Sequence, residues 1–253
     1  MSAGGRKRRT VEEQKKIEDN PVKRVAIILA GGRGSRMNSD IPKQYMILGE
    51  KPVLYYSIKA FERSSVDEII LIAGAGDIDY CRREIVEKFG FKKVSAIVEG
   101  GSERYYSVLN GLRAVEPGDV GTVYVFIHDG ARPCVTEQII EKCSLEVERY
   151  KACVAAVPVK DTIKVADEEG YSKDTPPRNL LWQIQTPQCF EYNLVKNAYE
   201  AMAADENRGV ITDDAMVVEK YTDTRVRLTE ASYKNIKITT PEDLAVAELF
   251  LEL

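Results

Sequence analysis

The stretch Val25-Ala-Ile-Ile-Leu29, running straight into Ala30-Gly-Gly-Arg-Gly-Ser-Arg-Met37, decides how this chain folds. Five apolar residues without polar alternation predict a strand buried on both faces. The glycines that follow let backbone N–H groups face an anion without interference from Cβ. Similar runs recur at Glu68–Ile72, Val94–Val98, Thr122–Ile127 and Ala152–Val157. Helix-like stretches near 52–63, 79–89, 103–115 and 136–150 separate them. Short apolar strands alternating with helices predict a parallel sheet of βαβ units, whose ligands bind at the carboxyl ends of the strands. Two more helical stretches are expected near 191–204 and 213–220. Thr240-Pro-Glu-Asp-Leu244 predicts a final helix with Thr240 as N-cap and Pro241 at its first position. Residues 158–181 break the rhythm: a strand is expected over Asp161–Lys164, a turn at Asp167–Gly170, and Pro176-Pro177 forbids helix. This segment reads as a protruding arm.

Composition excludes several classes. The 253 residues carry 36 Lys+Arg against 40 Asp+Glu, a net charge of −4. No apolar run approaches the roughly 18 residues that span a bilayer, and the charged N-terminus is not a signal peptide. Residues 1–24 hold eight basic and four acidic side chains and few large apolar ones, so they read as a charged extension to a domain over 25–253. Two readings of that extension stand: a solvated tail, or a basic arm for RNA or another anionic partner. The five cysteines form no CxxC pair, and the chain has one histidine, His128. That argues against zinc and for reduced thiols in a cytoplasmic protein. His128, taken alone, reads as structural rather than catalytic.

The glycine loop is neither a Walker A loop nor GxGxxG: Arg36 and Met37 stand where those motifs need Gly-Lys and a third glycine. A polyphosphate cradle is the better reading, with Arg36 and Lys43 close by in sequence.

Leu29–Met37 with Pro42-Lys-Gln-Tyr45 resembles the opening of the nucleotidyltransferases that activate sugar phosphates. The resemblance is to the 2-C-methyl-D-erythritol 4-phosphate cytidylyltransferase family. It extends through Gly100–Ser107, His128-Asp-Gly-Ala-Arg-Pro133, Val157–Ile163, Gln185-Thr-Pro-Gln188, Ile211-Thr-Asp-Asp214 and Asn235–Asp243, covering about 24–253. It implies a Rossmann-like three-layer α/β sandwich with a mainly parallel sheet and a dimerisation arm at about 158–181. The implied reaction joins CTP to methylerythritol phosphate, with Mg²⁺ as cofactor and release of pyrophosphate, in non-mevalonate isoprenoid synthesis. The attacking phosphate is already anionic near neutral pH. Such chemistry needs cations and positioning rather than a strong base.

The resemblance also implies roles. Ala30, Gly31, Gly32 and Gly34 would hold the triphosphate. Arg36 and Lys43 would neutralise charge at the α-phosphate, with Arg33 auxiliary. Gly101, Ser102 and Ser107 would read the cytosine, supported by Arg104, although Ser102–Glu103 reads equally as a helix N-cap. Asp129 and Gly130 would meet the nucleotide, and Asp129 and Arg132 the acceptor. Mg²⁺ is expected on the CTP phosphates, near Asp129, with no direct protein ligand assigned. Thr162 and Arg178 on the arm would complete the neighbouring site of a homodimer. Thr186 is a further pocket candidate, while Asp213 and Asp214 read chiefly as a helix start. Lys237 would position the attacking phosphate, and a strand over Tyr233–Ile238 is expected to turn Lys234 the other way. Two rivals stand beside this reading: a ribitol-5-phosphate cytidylyltransferase, whose relatives tend to carry His-Asp-Ala-Val-Arg, and a non-catalytic nucleotide-binding regulator.

Overall fold

The structure, a computed structural model, describes residues 21–32 and 41–253. The first strand, β1 (Val22–Ala30), begins three residues before the apolar run, so Lys23 and Arg24 belong to the sheet. A short hairpin, β2 (Ile47–Leu48) and β3 (Lys51–Pro52), leads into α1 (Val53–Arg63). Next come β4 (Glu68–Ala73) and α2 (Ile78–Tyr80), which continues into a wider π-type winding over Cys81–Glu87. Then follow β5 (Val94–Glu99), α3 (Arg104–Ala114), β6 (Thr122–Asp129), α4 (Glu137–Tyr150) and β7 (Ala152–Pro158). The arm carries a small hairpin, β8 (Val165–Ala166) with β9 (Ser172–Asp174). The chain returns through β10 (Trp182–Glu191), α5 (Tyr192–Ala204), α6 (Asp214–Tyr221), β11 (Arg227–Glu230) and α7 (Glu242–Leu251).

The seven-stranded sheet runs β11-β7-β10-β6-β1-β4-β5. Every pairing is parallel except those of β10, which lies antiparallel between β6 and β7. Both faces of β1 are covered, as its sequence predicts. Val25 and Ile27 join the core under α3, α5 and α6, whereas Ala26 and Ile28 join the core under α1 and α4. The fold is thus the expected three-layer α/β arrangement with a mostly parallel sheet.

Local expectations fail at three places. The arm strand lies at Val165–Ala166 rather than Asp161–Lys164, because pairing needs the turn at Gly170, where φ is +89°. Tyr233 and Lys234 form a turn, closed by Asn235 N–H donating to Ser232 O at 3.1 Å, and residues 235–238 pair with no strand. At α7 the cap comes from Asp243, whose Oδ2 accepts from the backbone N–H groups of Thr239 (2.8 Å) and Thr240 (2.9 Å). The expected N-cap of α6 is present: Asp213 accepts from Met216 N–H at 3.0 Å.

Candidate active site

A cleft of about 770 Å³ opens at the carboxyl ends of the central strands. From β1 the chain adds β4 and β5 on one side, while β6 lies on the other. The cleft therefore sits where the winding reverses, the usual ligand position in such sheets. Register sets Leu29 of β1 beside Asp129 of β6. Beyond β1, Ala30 is buried and its carbonyl accepts from Gln44 Nε2 at 2.5 Å. Gly31, Gly32 and Lys43 then line the cleft. A Cβ on Gly31 would stand 3.3 Å from the Ala73 carbonyl oxygen, so glycine permits this close approach of β1 and β4.

Gly101, Ser102 and Ser107 form the opposite wall. Ser107 Oγ accepts from Gly101 N–H (3.0 Å) and lies 3.2 Å from the Glu103 carbonyl, to which it donates. It therefore braces the loop from the first turn of α3. A side chain at Gly101 would run into Tyr106. Ser102 lines the cleft and does not cap α3, whose N-cap position is Glu103 without a side-chain bond. Gly130 lies outside the lining: Leu54 Cδ1 and the Leu29 carbonyl occupy the space of a Cβ there, and its N–H donates to Leu29 O at 2.8 Å. The structure packs Gly130 closely against α1 and the end of β1.

Asp129 is the electrostatic centre. Lys237 Nζ lies 2.8 Å from Oδ2, Arg104 Nε 3.4 Å from Oδ1 and Arg132 Nε 3.6 Å from Oδ2. Burial would raise this carboxyl, but Arg104, Lys237 and Arg132 together hold it far below the usual carboxylate range. Three cations thus meet on one carboxylate, and Lys43 lines the same cleft together with the acids Glu99 and Glu103.

Arg104 carries more of this architecture than its sequence position suggests. Its Nη1 and Nη2 donate to Asp214 Oδ1 and Oδ2 at 2.7 and 2.8 Å. Asp214 is fully buried and also accepts from Tyr199 Oη at 2.5 Å. Gln188 of β10 finishes the knot: its Oε1 accepts from the backbone N–H groups of Asp214 and Ala215, and its Nε2 donates to Asp213. Sequence reading took Asp214 as a helix start only; the one signal was a second acid, side by side with the capping acid, where a single one suffices.

A second cavity, about 540 Å³, shares Arg104, Asp129 and Lys237 with the first and adds Arg132, Thr186 and Thr212. Thr186 Oγ1 accepts from Asp129 N–H (3.1 Å) and shares a hydrogen bond of 2.9 Å with His128 Nδ1. His128 Nε2 is buried without a hydrogen-bond partner beside the Phe61 ring. Burial pushes the His128 pKa down to about 3. The lone histidine is thus a neutral brace behind Asp129. Arg132 Nη1 donates to the Asn235 carbonyl (2.9 Å), and Asn235 Nδ2 donates to Gln185 Oε1 and the Thr186 carbonyl. Asn235 and Gln188 were missed as site-building residues because single buried polar side chains, one in a loop and one in a strand, carry no periodic signal.

Lys237 reaches Asp129 from an unpaired extended segment. Ile238, fully buried with Leu48, Val53 and Ala247, fixes its direction, and Ile238 N–H donates to Ala131 O at 2.8 Å. Lys234 turns away to the Phe250 ring. The separation of the two lysines is as expected, though no strand causes it. Thr162 and Arg178 lie on the exposed arm and line neither cavity; Arg178 Nη1 donates to the Lys160 carbonyl at 2.9 Å. Gly34, Arg33 and Arg36 lie outside the described residues.

Comparison with known proteins gives a consistent result. The model of the IspD family, 2-C-methyl-D-erythritol 4-phosphate cytidylyltransferase, matches residues 24–253. A protein of that description from Lachnospira eligens is 53% identical over 229 residues, 90% of this chain and 98% of its own length. One from Caldanaerobacter subterraneus is 49% identical over 89% of this chain and 97% of its own length. A crystal structure of 4-diphosphocytidyl-2C-methyl-D-erythritol synthase from Anaerococcus prevotii superposes with a TM-score of 0.78 at 34% identity, covering 91% of this chain and 96% of that one. A motif-bearing cleft, a matching family model across the whole described domain and near-full-length relatives agree, and the chain belongs to the 2-C-methyl-D-erythritol 4-phosphate cytidylyltransferase (IspD) family.

Proposed function

We propose that this chain transfers the cytidylyl group of CTP to 2-C-methyl-D-erythritol 4-phosphate, releasing pyrophosphate, as a step in isoprenoid precursor synthesis. Membership of the family supports the reaction. The structural observation that carries the mechanism is the cationic knot on Asp129, standing between two adjoining cavities. The glycine-lined cleft suits the triphosphate and base. The cavity beyond the knot suits the acceptor phosphate, which must reach the α-phosphorus from the side opposite the leaving pyrophosphate.

Two anions must be brought together, and the groups at their meeting point are cations. Lys237 and Arg104 are held by Asp129 in fixed directions before substrate arrives, so little reorganisation remains when charge develops. Lys43 approaches from the glycine-loop side and, with Arg36, serves the pentavalent α-phosphate. Gly101 and Ser102 present the loop that reads the cytosine edge, with Ser107 bracing it. The displacement is direct and in line, with no covalent enzyme intermediate.

Magnesium binds through one or two carboxylates together with substrate phosphates and water. Asp129 fits as a single oxygen donor at the phosphate end of the cleft, since a carboxylate offers about four lone-pair sites and three are engaged by cations. When bound, the ion neutralises part of the triphosphate charge.

The arm supports a shared site. It exposes Ile163, Val165, Tyr171 and Leu180, large apolar residues that a second copy would cover. Arg178, remote from both cavities of its own chain, would then grip the acceptor phosphate of the partner, helped by Thr162, its planar fork matching phosphate oxygens. Among the described residues no helix is long and apolar enough to cross a membrane, and all five cysteines are free thiols. Both fit a cytoplasmic enzyme.

The test is pyrophosphate release with CTP and Mg²⁺, offering methylerythritol phosphate and ribitol-5-phosphate in parallel, with UTP and ATP as controls. Turnover with the first acceptor alone is expected. Turnover with ribitol-5-phosphate alone would move the reading to that substrate, and silence with both in protein that binds CTP would favour a regulator.

A further inference from the structure

Away from the cleft, three cysteines scattered in sequence meet in the core. Cys153 of β7 and Cys189 of β10 are direct register partners on neighbouring antiparallel strands. Cys143 of α4 packs over the same sheet face. The three Sγ atoms all lie within 4.8 Å of one another. Each residue is fully buried, and all three belong to the apolar core with Phe126, Ile140 and Val147. Cys153 Sγ donates to the Cys143 carbonyl at 3.4 Å.

The charge balance of this place selects a ligand. Sulfurs within 4.8 Å of one another stand at most about 2.8 Å from a common centre. Closing to soft-ion bonds, about 2.3 Å for zinc thiolates, needs each sulfur to move by at most about half an ångström. Three thiolates around a divalent ion would leave one negative charge, and around a monovalent ion two. The charged side chains beside the cluster are Lys142 and Glu146 on the outer side of α4, and they face other partners: Lys142 donates to the Glu230 carbonyl, and Glu146 pairs with Arg227. Neither balances a charge inside the core, where an unpaired charge is costly. A trivalent centre with three thiolates is neutral.

We propose that Cys143, Cys153 and Cys189 form a binding site for a trivalent thiophilic metalloid such as arsenite. The step is As(OH)₃ plus three thiols giving As(SR)₃ plus three waters. Three As–S bonds form, three As–O bonds break, each thiol proton leaves with a hydroxide as water, and arsenic stays trivalent. Entry proceeds through local opening, since the thiols have no surface.

The test uses the full chain under reducing conditions, incubated with arsenite, desalted and assayed for arsenic per chain. One arsenic per chain is expected in the wild type and after Cys81→Ala or Cys134→Ala, with at least a tenfold loss after Cys143→Ala, Cys153→Ala or Cys189→Ala. X-ray absorption on the loaded wild type, which needs no variant to fold, is expected to count three sulfur neighbours and no oxygen. No retained arsenic in native protein, equal retention after Cys153→Ala, or an oxygen in the arsenic shell would each overturn the site. Retention of Zn²⁺ on the same three cysteines in preference to arsenite would overturn the charge argument and with it the proposal.

Discussion

Arg104 and Asp214 form a two-point pair, Nη1 to Oδ1 at 2.7 Å and Nη2 to Oδ2 at 2.8 Å, across 110 positions of sequence. The pair ties the start of α3, which carries the Gly101 loop, to the start of α6. The same guanidinium turns its Nε to Asp129. Asp214→Asn would leave Arg104 half-paired beside a buried amide. Breaking one partner of a buried pair costs about 3–5 kcal/mol, so denaturant unfolding should show a loss of that size. Tyr199→Phe removes one neutral donor from the same carboxylate and should cost about 1–2 kcal/mol. Equal effects for the two would mean that the charge on Asp214 contributes little.

His128 gives the stability curve a recognisable acid limb. Its folded pKa, lowered by burial to about 3, lies well under the unfolded value of 6.5. Between those values the unfolded chain binds the proton and the folded chain does not. Stability therefore rises with pH through that window and falls on acidification below about pH 6.5, approaching about 1.4 kcal/mol per pH unit. The chain has no other histidine. Denaturant melts between pH 7 and pH 5 should show this slope in the wild type and not in His128→Gln. A slope that persists in the variant would assign it to another group.

Gly101 should tolerate no side chain. The added methyl of Gly101→Ala runs into Tyr106, and overpacking of this kind costs about 1–3 kcal/mol. The loop, rather than the core, absorbs the change, so KM for CTP should rise about tenfold while the melting temperature moves little. An unchanged KM for CTP in Gly101→Ala would remove Gly101 from the nucleotide wall.

Lys43 and Lys237 should act on the rate. If their contacts strengthen as charge builds on the α-phosphate, Lys43→Ala lowers kcat by about 10²–10³-fold with a much smaller change in CTP affinity. Isothermal titration with CTP, alongside steady-state rates, separates the two. Matching losses in binding and turnover would count against a transition-state role.

Arg178 should act on the acceptor and in trans. Arg178→Ala is expected to raise KM for methylerythritol phosphate with CTP affinity unchanged. Mixing Lys43→Ala with Arg178→Ala subunits should restore part of the activity, because one site of each mixed dimer then has both residues. Mixed dimers that remain inactive would confine Arg178 to its own chain.

The five parallel strands from β1 to β7 were legible because each is an apolar run, buried in β1, β4, β6 and β7 and half-buried in the edge strand β5, and that property is local. Strand β10 was not. Gln183, Gln185, Thr186 and Gln188 make its sequence polar, yet it lies between β6 and β7, where Gln185, Thr186 and Gln188 are buried in bonds to Asn235, His128 and Asp213. The site was legible as a set of motifs, and the cleft brings together Gly31, Gly101, Lys43, Asp129 and Lys237 from five of them. The packing of Gly130 against Leu54 and the Leu29 carbonyl was not legible, because adjacency to Asp129 in sequence says nothing of what fills the space around its Cα.

What the sequence determined by itself is whatever depends on neighbours along the chain: the alternation of strand and helix, the glycine turn after β1, the cap at Asp213, and the motif order that carries the resemblance. What only the tertiary structure decided is which distant charges meet. Asp129 keeps three cations because β6, α3 and the segment before α7 end at one place. Asp214 is a structural anion because Arg104 reaches it. Three cysteines share one volume because β7 and β10 pair Cys153 with Cys189 beneath α4. Periodicity encodes direction within an element, whereas a charge or a thiol acquires its chemistry from what the fold packs around it.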